Sequence, residues 1–358
     1  MDLRFAVIGT GMMGCEHLRN LTALPGVAVV ATADPVEESR TWAALTLGDD
    51  HPVEHHADLA ALLMRDDLDA LVVASPNGSH AAVLAEIFTA RPDLAVLVEK
   101  PLCTTVEDCL AVETAAAARP GLVWVGLEYR YMPPVARFLD EVRAGATGPL
   151  HMISVREHRF PFLPKVGHWN RFNRNTGGTL VEKCCHFFDL MRLTAGADPV
   201  RVLASGGQDV NHLDEEYDGE RPDILDNAFV IVEFANGVRG CLDLCMFAEA
   251  SRNEQELVAV GAAGKVEAFV PEGLVRIGER AGRTVTEHDA SHDERIAYAG
   301  FHHGASYLEL VEFCEALRSG GAPTVSPRDG TWSVATGVAA HRSIAEQRPV
   351  LLSEFLPF

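Results

Sequence analysis

The sequence predicts a two-domain α/β protein: a doubly wound parallel sheet first, then an α+β domain built on a mostly antiparallel sheet. Three observations predict it. The chain has 358 residues, long for one domain and comfortable for two. In its first third, short continuous apolar and β-branched runs alternate with helical patterns, as in parallel strands covered on both faces. After residue 128 the strand candidates follow one another, several joined by turn signals such as NG and AAGK.

The elements follow in order. Residues 5–8 read as the first strand, then a glycine-rich turn and a helix through Leu24. Further strands read at 27–33, 70–74, 95–98 and 123–126, and helices at 58–64, 80–90 and 106–118. This spacing gives right-handed βαβ units. Beyond them, strands read at 150–158, 200–205, 228–235, 240–247, 256–261 and 265–270. The one helical insertion is expected at 179–193, and residues 304–347 return to helix. The expected domains are 1–128 and 129–358, with the C-terminal helices able to pack back on the first.

Composition narrows the function. Thirty Lys and Arg stand against 51 Asp and Glu, a formal charge of −21, and 47% of residues are hydrophobic. That balance disfavours a nucleic-acid backbone and an anionic membrane surface. No apolar run approaches the roughly 18–20 residues of a membrane span. The opening MDLRFAVIGTG reads as a strand rather than a signal peptide. Eight scattered cysteines show no disulfide framework, and the expectation is reduced thiols in a cytoplasmic protein. Residues 209–226 are strongly acidic and read as a solvated surface loop, with a lid over a site as the functional alternative.

The stretch FAVIGTGMMG is a strand, then Gly9-x-Gly11-x-x-Gly14, then a helix. Gly9 permits a tight turn, Gly11 lets a pyrophosphate approach the backbone, and Gly14 lets helix and strand pack closely. The free N–H groups at the helix start, at Met12 and Met13 among others, then bind phosphates. Asp34 ends the second strand, where a carboxylate accepts hydrogen bonds from a ribose and repels a 2′-phosphate. NAD is therefore expected over NADP, with Arg40 the nearest candidate for gripping a phosphate. Two more turns sit at the carboxyl ends of strands, where such sheets bind ligands. ASPNGSH supplies Ser75, Pro76, Asn77 and His80, and VEKPL supplies Glu99 and Lys100. Pro101 biases Lys100 to an extended conformation.

These motifs, in this order and followed by GGTLVEKCCHFFDLM, resemble the glucose–fructose oxidoreductase / inositol dehydrogenase / rhizopine catabolism family of NAD(P)-dependent oxidoreductases. The resemblance runs from Phe5 to the C-terminal helices. It implies a Rossmann domain, then an α/β domain whose open sheet commonly forms a dimer or tetramer interface. The family's lysine falls on Lys100 and its catalytic histidine on His186. Its aspartate falls on Glu182, a departure. Where the family has a small or polar residue after that aspartate, this chain has Lys183; where it usually has Gly, Cys184. GLEYRYMPP matches the family's domain junction, with Arg130 in the arginine position and Tyr129 where another arginine is frequent. GHWNRFNRNTGG matches its substrate-side loop, offering Trp169, Asn170, Arg171 and Asn173.

The stretch VEKCCHFFDLM also has its own reading. On one helix, Glu182, His186 and Asp189 share a face, and Lys183 borders it. A catalytic zinc needs three protein ligands, and Cys184 and Cys185 point different ways on a helix, so no metal is expected. Acid/base chemistry fits best. A hydride leaves a carbinol carbon for nicotinamide while the hydroxyl proton leaves for a base that titrates near neutral pH, as histidine does. Lys100 can stabilise the alkoxide, Glu182 can orient His186, and Lys183 can pair with a carboxylate, bind substrate or share proton transfer. The expected function is NAD-dependent oxidation of a secondary hydroxyl of a sugar, amino sugar or cyclitol, or the reverse reduction. Two alternatives stay open: an NAD-assisted lyase or glycoside-cleaving enzyme, and a non-catalytic dinucleotide-binding protein. The sequence does not choose the substrate.

Overall fold

The computed structural model describes residues 2–48 and 52–356, which form two compact units. One comprises the chain up to Glu128 with Lys165–Trp169 and Arg295–Thr331. The other comprises Tyr129–Pro164, Asn170–Glu294 and the chain from Trp332.

In the first unit, strands β1 (Leu3–Ile8), β2 (Val27–Ala33), β3 (Glu54–His56), β4 (Ala70–Val73), β5 (Ala95–Glu99) and β6 (Val123–Gly126) form one parallel sheet. Their order is β3-β2-β1-β4-β5-β6. Order reverses between β1 and β4, so a crevice opens at the carboxyl ends of these neighbours, the usual ligand position in such sheets. Between the strands run α1 (Met12–Ala23), α2 (Glu37–Leu47), α3 (Leu59–Leu63), α4 (His80–Ala90) and α5 (Val106–Ala117). β4 and β5 are buried along their whole length, which is why they read as continuous apolar runs. Side-chain caps set two helix starts: Asp58 accepts from the Ala61 N–H at 2.7 Å and Thr105 from the Asp108 N–H at 3.1 Å. The later helix Ala305–Ser319 belongs to this unit. Its Phe313 meets Phe5 and Trp124 edge-on, and Glu309 accepts from the Trp124 indole N–H at 3.2 Å.

The second unit is built on nine strands: β7 (Leu150–His158), β8 (Pro199–Gly207), β9 (Asn227–Phe234), β10 (Arg239–Cys245), β11 (Gln255–Gly261), β12 (Gly264–Val270), β13 (Leu274–Glu279), β14 (Thr284–Asp289) and β15 (Val350–Leu351). Their order is β14-β13-β12-β11-β7-β10-β9-β8-β15, antiparallel throughout except for β7 beside β10. One face is buried. On β9, Ala228, Val230, Val232 and Phe234 point inward, while Phe229 and Ile231 are exposed.

Three features differ from the sequence reading. α2 and β3 lie where it placed no element. α6 (Pro133–Arg143) and the two outer strands β13 and β14 also lie outside it; β14 is exposed along nearly its whole length and so lacks an apolar alternation. The helix expected at 179–193 is broken. After α7 (Asn173–Thr176), α8 (Thr179–Glu182) ends at Lys183, and α9 (Cys185–Ala195) begins after Cys184. Cys184 takes ψ −3°, a turn conformation, and its carbonyl accepts from both the Phe187 and Phe188 N–H groups at 3.0 Å. α9 lies close on the sheet: a Cβ on Gly240 would stand 3.0 Å from the Met191 sulfur.

Candidate active site

The first unit carries the glycine turn. Gly9 has φ +82°, and a Cβ there would stand 2.6 Å from the Ser75 backbone. A Cβ on Gly14 would stand 2.0 Å from the Gly9 carbonyl oxygen. Gly11 is different: nothing lies within 4 Å of where its Cβ would be. Gly11 starts α1 without a side-chain cap, and no acidic residue occupies the first turn, so the dipole and N–H groups at Met12 and Met13 are left for an anion.

Asp34 is buried at the end of β2. It accepts from the Thr10 N–H at 2.7 Å and from the Val36 N–H at 2.8 Å. Arg40 does reach this strand end, but it donates to the Asp34 carbonyl at 2.7 Å. In the third turn, His80 lies 2.9 Å from both the Ser75 and Pro101 carbonyls, so one ring ties the two loops together. Burial pulls its pKa down, against the pull of the two carbonyls. Asn77 is buried, and its side-chain N–H₂ has no partner among the described residues. The open Gly11 position, the uncapped helix start and this idle donor all fit a dinucleotide.

Lys100 follows β5 and is half-buried, joined to Pro101 by a cis peptide. Its backbone N–H donates to Glu99 at 3.1 Å. Glu99 is buried, and its other oxygen lies 2.6 Å from His17 on α1. Burial opposes ionisation of Glu99, yet the hydrogen bond and charge of His17 outweigh it and hold the carboxyl below its usual range. His17 was not legible as a site residue. It is one of several polar residues buried on α1, with Glu16 and Asn20, and only its place after Gly14 marks it.

The second unit carries the helix pair α8 and α9. His186 is buried, and its ring stacks flat on Tyr129, 3.9 Å between centroids and 7° from parallel. The Lys183 ammonium donates to the Tyr129 hydroxyl at 2.6 Å and pairs with Glu157 at 3.0 Å. It is withdrawn from solvent, and that burial, with Arg159 nearby, lowers its pKa against the pull of Glu157. Glu157 also accepts from Gln255 at 2.8 Å and pairs with Arg159 at 3.4 Å. Glu157 had a signal in the sequence: it stands in phase with Ile153 and Val155, the inward residues of β7.

The remaining candidates make contacts of their own. Glu182, on α8, is buried. Asp189, expected on one ridge with Glu182 and His186, binds Arg130 bidentately at 2.6 and 2.5 Å. Arg171 is buried and donates to Glu215 at 2.8 Å. Asn170 is buried too and donates to the Leu163 carbonyl at 3.0 Å, while Trp169 clusters with the first unit. The acidic stretch is anchored rather than loose. Asp226 accepts from the Asp209, Val210 and Asn211 N–H groups, at 2.7 Å from Asn211. Burial raises the Glu215 pKa, but hydrogen bonds from His212, Tyr217 and Arg171 bring it to about 2. Among the described residues, no group of three His, Cys, Asp or Glu is arranged to hold a metal ion.

Comparison with known proteins identifies the family. Residues 3–127 match the NAD-binding Rossmann-fold domain of the Gfo/Idh/MocA oxidoreductase family, and residues 140–352 match its C-terminal α/β domain. The chain is 28% identical to scyllo-inositol 2-dehydrogenase (NAD(+)) of Bacillus subtilis, over 98% of this chain and 96% of that one. It is 30% identical to inositol 2-dehydrogenase 2 of Saccharopolyspora erythraea, over 96% and 94%. Its fold matches levoglucosan dehydrogenase in complex with NADH and levoglucosan, with TM-score 0.86 at 20% identity, covering 98% of this chain and 100% of that one. Matched in order in both domains, the chain belongs to the Gfo/Idh/MocA oxidoreductase family, and its first unit is an NAD-binding Rossmann domain.

Proposed function

We propose that this oxidoreductase is a dehydrogenase that oxidises a secondary ring hydroxyl of a cyclitol, sugar or amino sugar. The observation that carries the reading is His186: a buried imidazole held flat on Tyr129, at the position the family uses for catalysis. Relatives that match along nearly the whole chain and act on inositols support the cyclitol class.

The turn at Gly9, Gly11 and Gly14 receives the pyrophosphate, Asp34 the ribose, and the idle Asn77 amide a further acceptor of the dinucleotide. Bound NAD supplies the hydride acceptor. The Lys100 ammonium donates to the substrate oxygen and stabilises its alkoxide character. His186 accepts the hydroxyl proton on a ring nitrogen, and Glu182 supports it. Arg171 and Asn170 flank the polyol. Oligomerisation through the outer face of the second sheet, as a dimer or tetramer, accounts for the exposed Phe229, Ile231 and Leu203. The eight cysteines, none in a disulfide among the described residues, suit a cytoplasmic enzyme.

The test is a screen of purified protein with NAD against inositols, hexoses and amino sugars, following reduced cofactor by absorbance. Lys100→Met and His186→Asn should each lower kcat by about 10²–10⁴-fold, the usual worth of a positioned acid or base, with NAD binding unchanged. Near-normal turnover in both variants would overturn the assignment.

A further inference from the structure

Two departures from the family pattern touch each other. The pattern frequently carries arginine where this chain has Tyr129, and a small or polar residue where this chain has Lys183. The two positions are 54 residues apart, yet the Lys183 ammonium lies 2.6 Å from the Tyr129 hydroxyl. The cation missing from one position stands at the other.

We infer that Lys183 supplies, from the helix side, the positive charge the family pattern carries at residue 129, and that Lys183 and Tyr129 together are positioning residues for His186. The inference rests on His186 as the base.

The geometry gives each residue a part. Tyr129 covers one face of the His186 ring and leaves the ring edge, which carries both nitrogens, for proton exchange. A stacked ring holds its neighbour only if it is itself held. Tyr129 is held at its tip by Lys183 and at its edge by Phe187, with 5.7 Å between centroids at 68°. The ammonium stands 4.9 Å from the Tyr129 ring centroid, beyond the hydroxyl rather than over the ring face. An arginine at 129 would offer a flat guanidinium for the same stacking, but beside Lys183 it would set two cations together.

The core gives Lys183 a counter-charge against the burial that lowers its pKa. A buried ammonium needs a counter-charge, and Glu157 provides it from the inward face of β7. Arg159 and Gln255 hold the same carboxylate, so Glu157 keeps partners if Lys183 is removed. The pair can therefore be altered without stranding a buried anion.

The experiment is an exchange. Lys183→Ser, Tyr129→Arg and the double variant, which restores the family arrangement, are compared with Tyr129→Phe and His186→Asn. Each is assayed with NAD and the best substrate of the screen, and checked for melting temperature and NADH binding. A second readout needs no substrate: ring-proton NMR shifts of labelled His186, which sense a stacked aromatic ring.

Each single exchange should lower kcat about tenfold or more, with KM for substrate changed less than about threefold, and the double variant should recover about tenfold over Tyr129→Arg, the non-additivity expected of touching residues. Tyr129→Phe keeps the stack and should retain the upfield His186 shifts with a smaller loss of kcat. Additive losses in the double variant would overturn the inference. So would unchanged kcat in the singles while His186→Asn is inactive, which leaves the proposed function standing. An active His186→Asn would overturn both.

Discussion

The glycine turn of the first unit and the His186 helix of the second are both tightly packed, but by opposite means. At the turn, the fit comes from missing side chains: Cβ atoms at Gly9 and Gly14 would run into backbone at 2.6 and 2.0 Å. Around His186, the fit comes from large and charged side chains, Tyr129, Lys183 and Glu157, each satisfied by the next. A surface made by absence tolerates almost no addition. A network made by partners tolerates exchange when the partners change together.

The sharpest way to break that contrast is inside the turn itself. Gly14→Ala drives a methyl into the Gly9 carbonyl, so α1 must back away from β1. Dinucleotide binding should be lost and the melting temperature should fall. Gly11→Ala places its methyl in open space. Its stability should stay within about 0.5 kcal/mol of wild type, as for substitutions that disturb no packed feature. Its affinity for NADH, read by fluorescence titration, should still weaken, because the methyl stands where a pyrophosphate approaches the backbone. Wild-type affinity in Gly11→Ala would show that the phosphates bind elsewhere.

The second unit offers the matching experiment on a partnered charge. Arg130 and Asp189 are nearly out of solvent, at 7% and 1% side-chain exposure. Asp189→Ala leaves the guanidinium buried without its carboxylate and should cost about 3–5 kcal/mol in urea unfolding, the usual penalty for halving a buried pair. A loss below about 1 kcal/mol, the range of exposed pairs, would mean that Arg130 relaxes to water and is free to meet substrate after all.

This contrast also explains what was legible. Glycines at 9 and 14 announce themselves because a side chain there would run into backbone, and Gly11 completes their spacing, so the turn, Asp34 and the parallel sheet could be read from local spacing. His186 and Lys100 are candidates because the family motifs mark them. The partners of His186 could not be read. Tyr129, Glu157 and Lys183 come from three separate segments, and nothing in local periodicity says that they meet. The break at Cys184 was illegible for a related reason: its neighbours have ordinary helical patterning, and tertiary packing overrides propensity. Arg130 and Asp189, read separately as a substrate residue and as part of the ridge, are joined to each other by the fold, across 59 residues that local spacing does not connect.

The smallest effect concerns pH and the seat of α8. The partly buried His341 accepts from the Leu180 N–H at 3.1 Å, and a Cβ on Gly178 would stand 2.3 Å from the same ring nitrogen. Burial lowers its pKa from 6.5 to about 4, with the Gly178 backbone and Asp223 pulling weakly the other way. A ring that accepts a hydrogen bond must be neutral at that nitrogen. Between pH 6.5 and 4 the unfolded chain therefore binds the proton more readily than the folded one. Stability from this residue is complete above about pH 6.5 and falls as the pH drops toward 4, by at most ~1.4 kcal/mol per unit. His341→Gln keeps a side-chain acceptor but cannot titrate. Its unfolding free energy should lose less than that of wild type between pH 7.5 and 5, a difference of about 1–2 kcal/mol in matched urea curves. Parallel losses in the two proteins would mean that His341 is protonated as easily in the folded chain as in the unfolded one, and that the Leu180 N–H does not depend on it.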